Sequence, residues 1–378
     1  MLSDGVRAGV PGRSGEQRAM PNETLLEPKT VGRLESLDIC RGIAILAVLF
    51  IHVSGHFLPV LHPVKSHAPP TWAWYALAVP NQDLQWAVPC FLMLSAFANA
   101  LSLSRTPDVS RYAKRRLQTA VLPYVLWSGV YMAINFALGK LHQLSLGHIA
   151  KLLLTGTAEF HLYFFVLVIE LYVLLPLLMP VFQRRPPFWT IALGAVALQA
   201  VVYALNRFVL LHRFQTTILW DILPVALGLW LWSQLGRWLE IFRRGLWPVL
   251  AVTLAALAVY TPLGVKTILP PAHLNTAVYQ FGQWAFTAGM SFLVLALAGA
   301  LVKSKFAALL SYLGAESLAI YVMHPLAIIA LDKLGANKTL GAGLGMIVYY
   351  ALCLVLPLAG VRIWRLGKAP LGGSGSPK

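Results

Sequence analysis

The sequence predicts an all-α polytopic membrane protein, a bundle of about ten transmembrane helices with both termini in the cytoplasm. Three observations indicate this fold class. The 378 residues are 58% hydrophobic and only 12% charged, whereas a soluble domain carries about 25% charged residues. Long apolar runs recur along the chain, and they are continuous rather than alternating as in a β-barrel. Basic residues concentrate in alternate connecting segments.

Ten stretches approach the ~20 mostly apolar residues that a helix needs to cross a bilayer. Aromatic residues are frequent as well, and they suit the two interfaces of a membrane. The region 305–331 is where a span is most easily merged or lost. The predicted spans, in chain order, are 39–60, 84–103, 119–138, 161–182, 188–205, 218–235, 246–265, 284–302, 315–331 and 343–361.

The net charge of +16 follows the predicted topology. Segments on one side of the predicted spans hold 22 of the 30 Lys and Arg residues, which is the positive-inside bias of a protein with an even number of spans. No basic segment belongs to a soluble domain that would present it to a nucleic acid. We therefore expect the lipid bilayer, and no nucleic acid, among the partners.

The chain ends are polar and flank one membrane domain. Residues 1–36 are rich in Gly, Arg, Pro and Glu without the apolar core of a signal peptide, which predicts a mobile cytoplasmic tail. Residues 37–365 form the transmembrane domain, and residues 366–378 a flexible cytoplasmic tail. The three cysteines all fall in or beside spans, and their odd number argues against a disulfide framework.

The first span carries Arg41 near its start and His52 near its middle. Eleven residues at about 100° each bring the two side chains to one helix face, ~16 Å apart along the axis. Asp38, three residues before Arg41, is close enough to pair with it. Two interpretations are open. In the first, the arginine snorkels to the membrane surface and the histidine packs against a neighbouring helix. In the second, the two residues form a functional pair in a wet cavity. His56 follows His52 by four residues, but no third ligand is spaced for a metal, so no metal site is expected.

Two further segments carry polar clusters. In the segment 317–326, Tyr321 and His324 are neighbours on a helix that Pro325 interrupts. Before the third span lies a basic cluster that suits a phosphate-rich anion from the cytosol, or equally the positive-inside rule and anionic lipid. The basic residues of this cluster are Arg111, Lys114, Arg115 and Arg116.

Together these segments resemble the acyltransferase 3 group of integral membrane O-acyltransferases, from about residue 33 to residue 360. The first span, LDICRGIAILAVLFIH, resembles the family's Arg-x10-His pattern, carried here by Arg41 and His52. The run VPCFLMLSAF keeps the family's serine as Ser95, followed by Ala96 in place of the usual glycine. The segment SLAIYVMHPL resembles the family's Ser-x-x-x-Tyr-x-x-His, and His161 stands at a similar His-containing start of the fourth span.

The basic motif before a Pro-Tyr pair resembles the family pattern with one departure. The family usually has two basic residues three apart; Arg116 fits the first, and Thr119 occupies the second. Either Arg115 or Arg111 takes over that charge, or the motif here has one basic residue fewer.

The resemblance implies a cytosolic acyl-CoA donor, most often acetyl-CoA, and an acceptor hydroxyl on or beyond the outer leaflet. The donor is a substrate, with no cofactor bound permanently. The resemblance implies that His52 and Arg41 are catalytic. His52 would act as general base, because imidazole titrates near neutral pH, or it would carry the acyl group as an acyl-histidine relay. The residues expected to bind the CoA phosphates are Arg111, Lys114, Arg115 and Arg116, and those expected to support the site are Asp38, Ser95, His161, Tyr321 and His324.

The acceptor expected from the resemblance is a saccharide or lipid-linked oligosaccharide of a bacterial surface or exopolysaccharide glycan, modified at the inner membrane. A transporter or flippase of such a glycan would also need intramembrane charge and a central cavity, so this second class stays open. A structural or sensory subunit would not need the face shared by Arg41 and His52. The sequence does not determine the oligomeric state.

Overall fold

The structure is a computed structural model that describes residues 28–63, 68–105, 108–209, 216–269 and 274–367. Throughout these ranges the regular elements are helices and none is a strand, so the predicted all-α membrane fold is confirmed. The α-helices are α1 Pro28–Leu61, α2 Trp72–Asp83, α3 Ala87–Arg105, α4 Val109–Arg116, α5 Leu122–Ala137, α6 Leu146–Thr155, α7 Tyr163–Gln183, α8 Phe188–Phe208, α9 Ile222–Ser233, α10 Trp238–Ile268, α11 Thr276–Leu301, α12 Ala307–Ala315, α13 Ser317–Lys333, α14 Ala336–Thr339 and α15 Gly341–Gly367.

Eight helical segments of the described chain are long and apolar enough to cross a membrane, and a bent pair raises the number to nine. The pair is α12 and α13, which meet at 73° in the region where the sequence left the count of spans least certain. The predicted span 218–235 is a 3-10 turn, Ile218–Asp221, followed by the short helix α9. Its helical residues are too few for a full crossing, which accounts for the difference from ten.

The ends of the chain are described only in part. Residues 28–36 belong to α1, so helical structure begins within the predicted N-terminal tail. It continues the α-helical hydrogen bonding of the first span toward the N-terminus. The remainder of the two predicted tails, residues 1–27 and 368–378, lies outside the described residues.

Helix α1 is the central element of the bundle. It packs against α2, α3, α11, α12, α13 and α15, and Ile39, Ile45 and Leu49 on it are fully buried. The peripheral helices instead expose large apolar side chains, such as Leu177 on α7 and Trp247 on α10. A soluble protein would not leave such faces uncovered, and lipid is the solvent that suits them.

Two glycines allow α1 and α12 to approach closely. A methyl group added at Gly42 would overlap the backbone carbonyl of Leu310, and one added at Gly314 would overlap the backbone carbonyl of Asp38. Small residues permit such backbone contacts between membrane helices, where van der Waals packing is a main source of association. The contact fixes Asp38 and Arg41 beside the break between α12 and α13.

We expect Gly314→Ala to lower the free energy of unfolding by about 1–3 kcal/mol, because the added methyl group has no space beside the Asp38 carbonyl. The matched control is Gly194→Ala on α8, where nothing lies within 4 Å of the added carbon. The control should be neutral or stabilising by up to about 1 kcal/mol. Denaturant titration of the detergent-solubilised protein measures both, and equal stability of the two variants would contradict the proposed close packing.

Candidate active site

A cavity of about 280 Å³ lies between α1, α3, α7 and the break between α12 and α13. We call it the inner cavity, because on the predicted orientation it occupies the cytoplasmic half of the bundle. Apolar side chains such as Phe91, Phe165 and Val168 form much of its wall. Its polar lining residues are Arg41, Ser95, Thr119, Tyr172, Ser317 and Tyr321.

Two backbone irregularities border the inner cavity. The π-helical turn Leu117–Val121 brings Thr119 to the wall, and such turns in helices often occur at functional sites. The break at Glu316 opens the opposite side, where Arg365 holds the Glu316 carboxylate at 2.7 Å. Irregular backbone at membrane depth is tolerated where it lines a cavity or is buried in protein.

Arg41 faces the inner cavity from α1. Its Nη1 lies 2.9 Å from Oδ1 of Asp38, the partner expected from the sequence, and its side chain is 29% exposed. The ion pair fixes the guanidinium on the cavity side of the helix while leaving other N–H groups free to bind an anion. Ser95 on α3 lines the same cavity.

The basic cluster is divided by the structure. The Arg116 guanidinium lies 5.0 Å from the ring centre of Tyr112 and 5.3 Å from that of Tyr172, and Tyr172 lines the inner cavity. Thr119 is in the cavity wall as well, and its hydroxyl donates to the carbonyl of Arg115. The other basic side chains of the cluster stay exposed on α4 and are not part of the cavity wall: Arg111, Lys114 and Arg115.

Three histidines from distant parts of the sequence meet at one place, which we call the histidine cluster: His52, His161 and His324. The rings of His52 and His324 are stacked with centroids 5.1 Å apart, and those of His161 and His324 are 5.6 Å apart. His161 and His324 are fully buried, whereas His52 is partly exposed. Phe160 covers His52, with ring centroids 4.8 Å apart.

The tautomer of His324 follows from Pro325. Proline has no N–H, so the carbonyl of Tyr321, four residues earlier, lacks its helical donor. Nδ1 of His324 lies 2.7 Å from that oxygen, and because a carbonyl only accepts, Nδ1 carries the proton. The Nε2 atom of the neutral ring is then an unprotonated acceptor.

Several ring nitrogens of the cluster are buried without a partner. Within the described residues, neither nitrogen of His161 nor Nε2 of His324 has a hydrogen-bond partner. Buried polar atoms are bonded in the large majority of cases, so these nitrogens are suited to a polar group of a bound molecule or to water. No group of three or more His, Cys, Asp or Glu side chains in the described ranges is arranged to hold a metal ion.

Tyr321 stands between the inner cavity and the histidine cluster. It lines the cavity, its ring centroid is 5.3 Å from that of His161, and its hydroxyl donates to the backbone carbonyl of His161. The sequence led us to expect one lumen shared by Arg41 and His52. The structure places Arg41 in the cavity wall and His52 in the adjoining histidine cluster, and Tyr321 belongs to that wall while packing against His161 and His324.

Some residues beside the site were not identified from the sequence. Tyr131 packs its ring 5.1 Å from that of His161 and donates its hydroxyl to the carbonyl of Val322 at 2.7 Å. Phe160 and Tyr172 are further examples, since an aromatic residue in an apolar run carries no local signal of its contacts. His56 lies with Nε2 3.0 Å from Oδ1 of Asp332 and is not a member of the cluster.

Comparison with known proteins identifies the family of the chain. A family model described as an acyltransferase domain, of the acyltransferase 3 type, matches residues 34–361, nearly the whole chain. No curated protein and no solved structure shows significant similarity to the chain.

We expect Pro325→Ala to change the protonation pattern of the His324 ring. The new amide N–H would compete with Nδ1 for the Tyr321 carbonyl, so Nδ1 should no longer be the only protonated nitrogen. ¹⁵N NMR of histidine-labelled protein reports the tautomer, and Pro248→Ala inside α10 is the control. An unchanged Nδ1–H signal in Pro325→Ala would refute the role given to Pro325.

Proposed function

Because the chain belongs to the acyltransferase 3 family and is a multi-pass membrane acyltransferase, we propose that it is an acetyl-CoA-dependent O-acetyltransferase. The acceptor in this proposal is a hydroxyl of a bacterial surface or exopolysaccharide glycan, lipid-linked, at the inner membrane. The observation that carries it is the inner cavity, which has Arg41 in its wall and ends at Tyr321 against the histidine cluster.

The donor enters the inner cavity from the cytosol. Arg41 and Arg116 bind the CoA phosphates, because a guanidinium group presents several N–H donors in a plane that matches phosphate oxygens. The exposed side chains of α4 add positive potential around the entrance. The mostly apolar wall suits the uncharged arm of CoA, and it directs the thioester toward Tyr321.

His52 is the general base in this mechanism, since it is the partly exposed member of the cluster. A ring nitrogen of His52 takes the proton of the acceptor hydroxyl while the oxygen attacks the thioester carbonyl carbon. The tetrahedral intermediate collapses with cleavage of the C–S bond. The CoA thiolate then takes the proton from the imidazolium, so the histidine returns to its neutral form.

His161, His324 and Tyr321 are positioning residues in this proposal. The stacked ring of His324 and the covering ring of Phe160 restrict the orientation of His52. The Tyr321 hydroxyl ties α13 to the turn that carries His161. Asp38 fixes Arg41, and Ser95 contributes a hydroxyl to the cavity wall rather than a nucleophile.

His52→Ala should reduce acetyl transfer by at least about 10²-fold, the range that general-base catalysis supplies. His142→Ala is the control, because that side chain is exposed outside the bundle. The assay is release of CoA from radiolabelled acetyl-CoA by detergent-solubilised protein, with and without a saccharide acceptor.

Full transfer by well-expressed His52→Ala would exclude His52 as the general base. Wild-type protein that binds the saccharide but never releases CoA would identify a carrier. Acetyl label retained on His52 in protein denatured before acceptor is added would identify the relay mechanism instead.

Arg116→Ala should raise KM for acetyl-CoA about tenfold with little change in kcat, since a charge-assisted hydrogen bond to phosphate is lost from the bound state. Arg184→Ala is the control, an exposed cation that follows α7 on the same predicted side. Steady-state kinetics in acetyl-CoA measures both variants. Equal KM values for Arg116→Ala and the wild type would remove Arg116 from the donor site.

A further inference from the structure

A second cavity of about 280 Å³ lies between the start of α3, the start of α7, α8, the 3-10 turn, α9 and α11. We call it the outer cavity, because on the predicted orientation it lies in the half of the bundle away from the cytoplasm. Tyr163 is the first residue of α7, and Asp221 ends the 3-10 turn. Val88 lines both cavities, so the two spaces share a wall.

The lining of the outer cavity differs in chemistry from that of the inner cavity. It combines amide, carboxylate and aromatic side chains, and none of the described residues in its wall is Lys, Arg or His. Amides and carboxylates bind hydroxyl groups, because amides donate and accept and a carboxylate accepts. Aromatic rings offer flat apolar faces. The residues that carry this character are Gln199, Asp221, Gln280, Gln283, Trp220 and Trp284.

Several of these polar groups are held in place by the protein. Oε1 of Gln199 accepts from the backbone N–H of Leu223 at 2.7 Å. Nε2 of Gln280 donates to Oε1 of Gln283 at 2.9 Å. The wall is therefore pre-organised, which reduces the entropy lost when a ligand binds.

Asp221 is the exception. In the part of the chain that the structure describes, no hydrogen bond or ion pair engages its carboxylate, which nevertheless lines a cavity within the membrane domain. A carboxylate in such a place is costly unless it finds donors, and hydroxyl groups of a ligand supply them. Asp221 also shares the wall of this cavity with Trp220 and the other aromatic and amide side chains.

We propose that the outer cavity binds one neutral sugar residue of the glycan acceptor, next to the sugar that receives the acyl group. Asp221 accepts hydrogen bonds from two of its hydroxyl groups, and the indole of Trp220 or Trp284 packs on its apolar ring face. The sugar in this cavity is not the reacting one, because no histidine is found among the described residues that line the wall. A volume of about 280 Å³ lies just below the ~300–1,000 Å³ of small-molecule sites, and this suits one sugar residue rather than a chain.

This inference rests on the proposed function in that the acceptor is a glycan. The subsite makes the protein selective for particular acceptor sugars, which the histidine cluster does not do. Asp221 favours neutral sugars over uronic acids, since a second carboxylate would repel it. Binding energy from a non-reacting part of a substrate also positions the reacting hydroxyl.

The test measures binding without acyl transfer. The probe is the surface glycan of the source organism, O-deacetylated with mild base and cut into short oligosaccharides, and the protein is held in nanodiscs without acetyl-CoA. Asp221→Asn and Trp284→Ala should each weaken binding about tenfold or more. Trp247→Ala, which removes an exposed indole on the lipid-facing side of α10, should leave binding within about twofold of wild type.

The outcomes separate this inference from the proposed function. Wild-type protein that binds no oligosaccharide, or binding by Asp221→Asn and Trp284→Ala equal to wild type, overturns the subsite. If Trp284→Ala does not fold, the nearly isosteric Asp221→Asn decides alone. Binding that depends on Asp221 and Trp284, in protein that transfers no acetyl group, supports the subsite and refutes the proposed acetyl-CoA-dependent transfer. Asp221→Asn should also bind uronic-acid fragments better than wild type does.

Discussion

The close backbone contact between α1 and α12 is the constraint on which the site depends. Gly42 and Gly314 let the two helices touch without side chains between them, so α1 is held against the segment that continues as α13. As a result, Arg41 of α1 lies beside the break between α12 and α13. His52, about three turns further along the same helix, lies beside His324. A side chain larger than glycine between α1 and α12 would push the helices apart, and it would move Arg41 away from the break and His52 away from His324.

Departures from regular helix form the rest of the site. The π-helical turn after α4 and the 73° bend at Glu316 open the inner cavity. Pro325 frees a carbonyl that orients the ring of His324. In hydrocarbon, each unsatisfied backbone group is unfavourable. Here side chains bond to the freed backbone groups or the irregular backbone borders a cavity, at the place where chemistry is proposed.

The two cavities have different linings although they share Val88. The inner one combines a guanidinium group with an apolar wall, which suits a phosphate-bearing donor with a long uncharged arm. The outer one combines amides, a carboxylate and indoles, which suits hydroxyl groups. In the proposed function, this division lets a donor and an acceptor from opposite sides of the membrane each be desolvated in a site of its own chemistry.

Hydropathy and charge by themselves determined the membrane class, the position of nearly every span and the shared face of Arg41 and His52, because these properties depend on local composition and helical period. Short motifs determined the family, which the match over residues 34–361 confirms. Only the tertiary structure decided that His161 joins His52 and His324, that Arg116 lies beside the cavity while Arg115 does not, and that Tyr321 lies where the inner cavity meets the histidine cluster. These contacts join helices far apart in the chain, and helix packing depends on the shapes of all the surfaces together, which no single segment contains.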